Sequence, residues 1–177
     1  IVAISALVIG LLSLRFPIGD LVLIDTKLSF IIAGTSLGFL IYHFHPAKIL
    51  PGYGATSLYL LIAVVSILSS SKLATAILVL GIPSVDALFT IIRRVLARKS
   101  PFSGDKKHLH HMLLELGLNQ RRIALFYWLI SAIVGGITLQ LQSRSKFFAM
   151  IMLLVIVSGG LVFLHLFLWH KHEKNNA

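Results

Sequence analysis

The sequence contains no cysteine, only six acidic residues and only 12% charged residues over its 177 positions. Without cysteine there is no disulfide framework and no thiolate metal site. The low charge excludes an ordinary soluble domain, in which about a quarter of residues are charged. Six acids scattered along the chain leave few groups from which a carboxylate metal site can be built. What is present is apolar: 57% of residues are hydrophobic, with a mean hydropathy of +0.93. The apolar residues fall in long runs between short polar breaks, the signature of a membrane protein. The formal charge of +10 does not indicate nucleic acid, because the cations are not spread over a soluble surface. Eight of them (Arg93, Arg94, Arg98, Lys99, Lys106, Lys107, Arg121 and Arg122) sit in one stretch between apolar runs.

Six apolar segments are legible: Ile1–Leu14, Leu28–Phe44, Ala55–Ser70, Leu73–Ile92, Ile123–Leu141 and Phe147–Trp169. A bilayer core of about 30 Å takes roughly 20 helical residues. The last three segments meet that length, the second and third need flanking residues, and the first is short. An all-α, multi-pass transmembrane bundle of about six spans is expected, as one integral membrane domain over 1–177. The polar breaks at Phe16–Asp20, His45-Pro46, Pro51–Gly54 and Ser69–Lys72 carry turn residues or charge. Placing the 93–122 loop in the cytoplasm, with the 44–54 loop and the C-terminal tail, puts eleven Lys and Arg inside and five outside. The opposite orientation violates the positive-inside rule. A bacterial plasma membrane is the expected location. The run begins at Ile1 without a basic leader, so the chain is expected to begin partway through a longer protein.

The 93–122 loop holds the candidate site. Its turn-rich start leads to an expected short amphipathic helix over Lys106–Leu116, with Asp105 as N-cap and Gly117 past the C-terminus. Leu109, Met112, Leu113 and Leu116 form one apolar stripe. His108, His111 and Glu115 share another face, from which His110 diverges. That divergence argues against zinc, which needs converging ligands. A solvated helix with incidental histidines is the plain reading. Anion recognition is the stronger one, because imidazoles beside Lys106, Lys107, Arg121 and Arg122 offer donors and positive charge to a phosphate or diphosphate. Asp86 is read as the one charge within a span, about 10 Å from its cytoplasmic end. A carboxylate there requires a partner. Thr90 and Arg93 share its face, so the loop arginines are the expected partners, and Pro83 is expected to kink the helix and make room.

Pro83-Ser84-Val85-Asp86, then Ile91–Arg94, Lys99–Ser103 and Asp105–His111 resemble the polyprenyl-phosphate sugar-1-phosphate transferases. The branch most similar is the undecaprenyl-phosphate N-acetylglucosamine-1-phosphate transferases, with the phospho-MurNAc-pentapeptide transferases more distant. Leu37–Leu40 and His45–Ile49 extend the resemblance, which runs from Leu37 to Arg122 in order. It implies transfer of a sugar 1-phosphate from a UDP-sugar to a polyprenyl phosphate, with Mg²⁺, at the cytoplasmic face. It further implies that His108, His110 and His111 bind the diphosphate, assisted by Lys48, Arg93, Arg94, Lys106, Lys107, Arg121 and Arg122.

The sequence departs from the family in two respects. Where the family reads Met-Gly-Asp-Ser-Gly-Ser, this chain has Leu50-Pro51-Gly52-Tyr53-Gly54-Ala55, so Tyr53 stands at the metal-binding carboxylate. A phenol is a poor donor to Mg²⁺, and no acid lies between Asp25 and Asp86. The resemblance also covers only the family's C-terminal half, without its paired aspartates or Asn/Asp-Gly-Leu-Asp-Gly segment. No residue here is therefore assigned as catalytic or as a metal ligand. Either a missing N-terminal half or a second copy completes an enzyme, or the chain is a non-catalytic relative that binds polyprenyl phosphate or a partner protein. A transporter ranks last.

Overall fold

The computed structural model describes residues 1–15, 22–67, 70–100 and 108–175. Among them are eight helices: α1 (Val2–Arg15), α2 (Val22–His43), α3 (Gly54–Ile67), α4 (Ser70–Val79), α5 (Gly81–Leu96), α6 (Leu109–Glu115), α7 (Gln120–Thr138) and α8 (Ser143–Asn175). The chain is an all-α membrane bundle. The six apolar segments all appear as helix. Three (α2, α7 and α8) are long and apolar enough to cross a bilayer, and α4 with α5 makes a fourth when counted as one span. The helices α1 and α3 are apolar but shorter, at 14 residues each.

One core joins Ala6 and Ile9 of α1 to Ile32 and Ala33 of α2, Ile62 and Val65 of α3, and Ala76 of α4. A second joins Ile82 and Val85 of α5 to Leu109 and Met112 of α6 and to Leu161 and Leu168 of α8. The apolar stripe expected on the short helix is thus buried against the bundle. Along α8, in contrast, Phe147, Phe148, Met152, Val155, Ile156 and Phe163 are exposed. Such a surface suits lipid rather than water.

The segment read as a single span over Leu73–Ile92 is broken. The helices α4 and α5 meet at Leu80 with a bend of 76°. Pro83 lacks the N–H that would bond the Val79 carbonyl one turn earlier, and its ring crowds that carbonyl. Val79 O instead accepts from the Ser131 hydroxyl of α7 at 3.3 Å. A carbonyl freed inside an apolar bundle needs such a partner. The kink assigned to Pro83 is present, three residues upstream and sharper than a bend. Gly81 lets the bend pack closely, since a Cβ there would lie 2.6 Å from Leu153 Cδ2 of α8.

Asp86 is not the only charge inside the bundle, contrary to the sequence reading. Asp25 is buried in the first turn of α2, and Lys146 is buried in α8. Lys146 Nζ donates to Thr75 Oγ1 of α4 at 2.8 Å. Asp25 and Lys146 both lie outside the apolar runs of the sequence, because both helices begin earlier than those runs.

Candidate functional site

The site grows from the second turn of α5. Asp86 is 6% exposed and turns toward the start of α6. Its Oδ1 accepts the Leu109 backbone N–H at 2.9 Å, and its Oδ2 lies 3.0 Å from His108 Nδ1. Thr90, one turn along α5, places Oγ1 3.3 Å from the same nitrogen. The partners assigned to Asp86 from sequence were the loop arginines; the structure gives both of its oxygens to the beginning of α6. Helical spacing selected Arg93, but a chain segment folding back on α5 supplied nearer donors.

The helix α6 spans Leu109–Glu115, with His108 in extended backbone as its N-cap and no capping bond from that side chain. The expected start near Lys106, the expected cap Asp105, and the candidate ligands Lys106 and Lys107 lie outside the described residues. The C-terminal end follows expectation. Gly117 has φ +91°, its N–H bonds Leu114 O at 2.9 Å, and Leu118 N–H bonds Leu113 O at 3.1 Å. This pair of bonds closes the helix through a left-handed glycine. Two residues later Asn119 caps α7, its side-chain oxygen accepting from Arg122 N–H at 2.9 Å.

The three histidines form a row. The His108 and His110 rings stack at 5.9 Å, 13° from parallel, and those of His110 and His111 lie 4.1 Å apart. The divergence of His110 expected from helical spacing does not occur, because His108 precedes the helix and is not bound by its geometry. Partial loss of solvation pushes the His110 pKa below the ordinary 6.5. Charge on His111 and His108 pushes the same way, and Asp86 opposes them.

His110, His111 and Asp86 line a cavity of about 830 Å³. Its walls are largely apolar: Leu37, Phe39 and Leu40 of α2, Ala55 and Leu58 of α3, and Ile123 of α7, closed by the start of α1. Polar groups enter from His43, Tyr59, Gln120 and Tyr127. His43 Nδ1 lies 3.1 Å from Ile49 O, and its ring stacks on Phe39 at 5.5 Å. Gln120, Tyr59 and Tyr127 were not found from sequence, since each looks like an ordinary interfacial residue until α3 and α7 are brought together.

None of the remaining described candidates lines the cavity. Arg94 Nε donates to Ser100 O at 2.7 Å, and Arg121 Nε donates to His45 O at 3.0 Å, tying α7 to the loop before α3. Arg93 is half-buried in the last turn of α5, while Arg122 and Lys48 are exposed. Tyr53, at the position of the family's metal-binding carboxylate, is 94% exposed just before α3.

Several known proteins are similar to this chain in sequence. A protein of Bacillus subtilis (strain 168) named "Probable undecaprenyl-phosphate N-acetylglucosaminyl 1-phosphate transferase" is 34% identical over 138 residues, covering 74% of this chain and 38% of that protein. The undecaprenyl-phosphate alpha-N-acetylglucosaminyl 1-phosphate transferase of Thermotoga maritima is 31% identical over 157 residues, covering 87% of this chain and 50% of its own length. The chain is a homologue of these transferases. The decaprenyl-phosphate N-acetylglucosaminephosphotransferase of Mycobacterium tuberculosis (strain ATCC 25618 / H37Rv) is 33% identical over 152 residues, 75% of this chain and 38% of that one. The chain thus spans half or less of the length of each of these three relatives, with shares of 38%, 38% and 50%. No family model matches it, and no solved structure does.

The donor set bears on the magnesium expected from the resemblance. Among the described residues, Asp86 is the one carboxylate lining the cavity, and both its oxygens are engaged by α6. Mg²⁺ favours hard oxygen donors in octahedral array. The residues described do not fit that ion.

Proposed function

We propose that this chain forms the anion- and lipid-binding end of a transferase that moves a sugar 1-phosphate, with N-acetylglucosamine as the sugar, from a UDP-sugar to undecaprenyl phosphate. The observation that carries the reading is the histidine row at the edge of a large, mostly apolar cavity. Joining a diphosphate to a lipid phosphate brings two polyanions together, which calls for donors and positive charge around the phosphates. His110 and His111 supply donors at the cavity, and the arginines around it supply field. The apolar walls on α2, α3 and α7 suit the first isoprene units of a polyprenyl chain. The excess of arginine and lysine in the loop supports a cytoplasmic position at a bacterial plasma membrane for this end, by the positive-inside rule. A soluble nucleotide sugar and a lipid head group meet only at such a boundary.

The decisive measurement has two arms. Membranes carrying the chain are given labelled UDP-N-acetylglucosamine and undecaprenyl phosphate, with and without Mg²⁺, and lipid-linked label is counted. In parallel, UDP binding is measured on the purified chain in nanodiscs. UDP binding that is lost in His110→Ala supports the reading. Absence of UDP binding overturns it, and binding without product shows that these residues alone do not complete the chemistry.

A further inference from the structure

We infer that Asp86 is the positioning residue of this site: from within α5 it both caps α6 and fixes the proton of His108 on Nδ1, which sets the histidine row. The inference rests on the proposed diphosphate site only for what the row is for. A helix leaves its first backbone N–H groups without partners inside the helix. A seven-residue helix is unstable alone. The His108 side chain at its N-cap supplies no capping bond. Asp86 Oδ1 takes that role from another helix, accepting the Leu109 N–H at 2.9 Å.

The second oxygen does different work. A carboxylate oxygen accepts, so the nitrogen facing Oδ2 at 3.0 Å carries the hydrogen. That nitrogen is Nδ1, which leaves Nε2 of His108 as the lone-pair nitrogen of the neutral ring. The ring is thereby held in one orientation, stacked on His110, which in turn lies against His111. Asp86 thus couples a helix inside the bundle to the chemical state of a loop. Had the loop arginines been the partners of Asp86, its oxygens would have been spent on them and the His108 tautomer left unset.

The two roles separate in Asp86→Asn. The Leu109 N–H can only donate, so it claims the amide oxygen. The amide NH₂ then faces His108 Nδ1 and donates to it, which forces the ring proton to Nε2. The chain in nanodiscs, with ¹⁵N-labelled histidine, reports this directly. We expect the wild-type His108 as the Nδ1–H tautomer, and Asp86→Asn as the Nε2–H tautomer with α6 amides still protected from exchange. In Asp86→Ala both should go: mixed tautomers, and α6 amides exchanging with the loop. UDP binding should weaken roughly tenfold in Asp86→Asn, the loss expected for one misdirected charge-assisted hydrogen bond. A wild-type His108 with its proton on Nε2, or an unchanged tautomer in Asp86→Asn, overturns the inference. Tautomer and exchange are read without nucleotide. A wild-type chain that shows the predicted tautomers but binds no UDP would therefore support the positioning role and overturn the diphosphate site.

Discussion

The two ends of the bundle bury charge in opposite ways. At one end Asp86 shares both oxygens with the start of a second helix beside an 830 Å³ cavity lined by three histidines. At the other end, toward the start of α8, Lys146 reaches Thr75 across a packed helix pair. Both are ionisable groups inside an apolar bundle, where burial is expensive. The difference is what surrounds them. Lys146 is absorbed into the packing of α4 against α8. Asp86 organises donors around empty space. Buried charge alone therefore does not mark a site; buried charge that orders other polar groups around a void does.

The sharpest way to break that contrast is to remove the ordering group. Asp86→Ala leaves the Leu109 N–H and His108 Nδ1 without their acceptor and should cost about 3 kcal/mol of stability. Reversible unfolding in mixed micelles measures this, and loss of less than a third of that amount would show that α6 holds without its anchor. Next is the close packing at the bend. Gly81→Val drives side-chain carbons into Leu153 and should cost about 2 kcal/mol. The same unfolding assay reads it, and Leu153→Ala in the same chain should recover part of the loss.

A smaller effect comes from pH. His110 is depressed below its ordinary 6.5, first by lost solvation and then by His111 and His108, with Asp86 pulling the other way. The unfolded chain takes up the proton near 6.5 while the folded chain resists it, so this contribution to stability is complete above 6.5 and lost as pH falls through the depressed value. An anion bound beside the ring reverses the bias. UDP affinity should rise as pH drops from 8 through 6, by roughly the charge-assisted gain of one hydrogen bond, and His110→Gln should flatten the slope. A slope that survives His110→Gln would assign the effect to His108 or His111 instead. The smallest expected change is at the other end. Lys146→Met exchanges a buried ammonium for an apolar side chain of similar length and should alter stability by about 1 kcal/mol or less. UDP binding should not move; a tenfold loss there would remove the distinction between the two ends.

Much of this was legible in the sequence because membrane spans announce themselves. The six apolar runs, the glycine end of α6 at Gly117 and the inward apolar stripe of Leu109 and Met112 all follow from local pattern. Other features depended on groups far apart in the chain. The break at Leu80 is stabilised by Ser131, 52 positions from the carbonyl it serves. Asp86 was assigned to Arg93 because helical spacing looks only along one helix, whereas its partners arrive 22 and 23 residues later on a returning loop. Lys146 and Asp25 lie outside the apolar runs, so hydropathy alone does not reveal that the bundle buries them. The cavity itself has no local signal, since Leu37, Ala55 and Ile123 look like any lipid-facing residues until they surround a space.

The placement of α3 has a consequence for access to the cavity. Ala55, Leu58 and Tyr59 near its start are walls of the cavity. Further along the same helix Leu60, Leu61 and Val64 are exposed. One apolar track therefore leads along α3 from the cavity wall to the outside of the bundle, and such a track suits a lipid tail better than water.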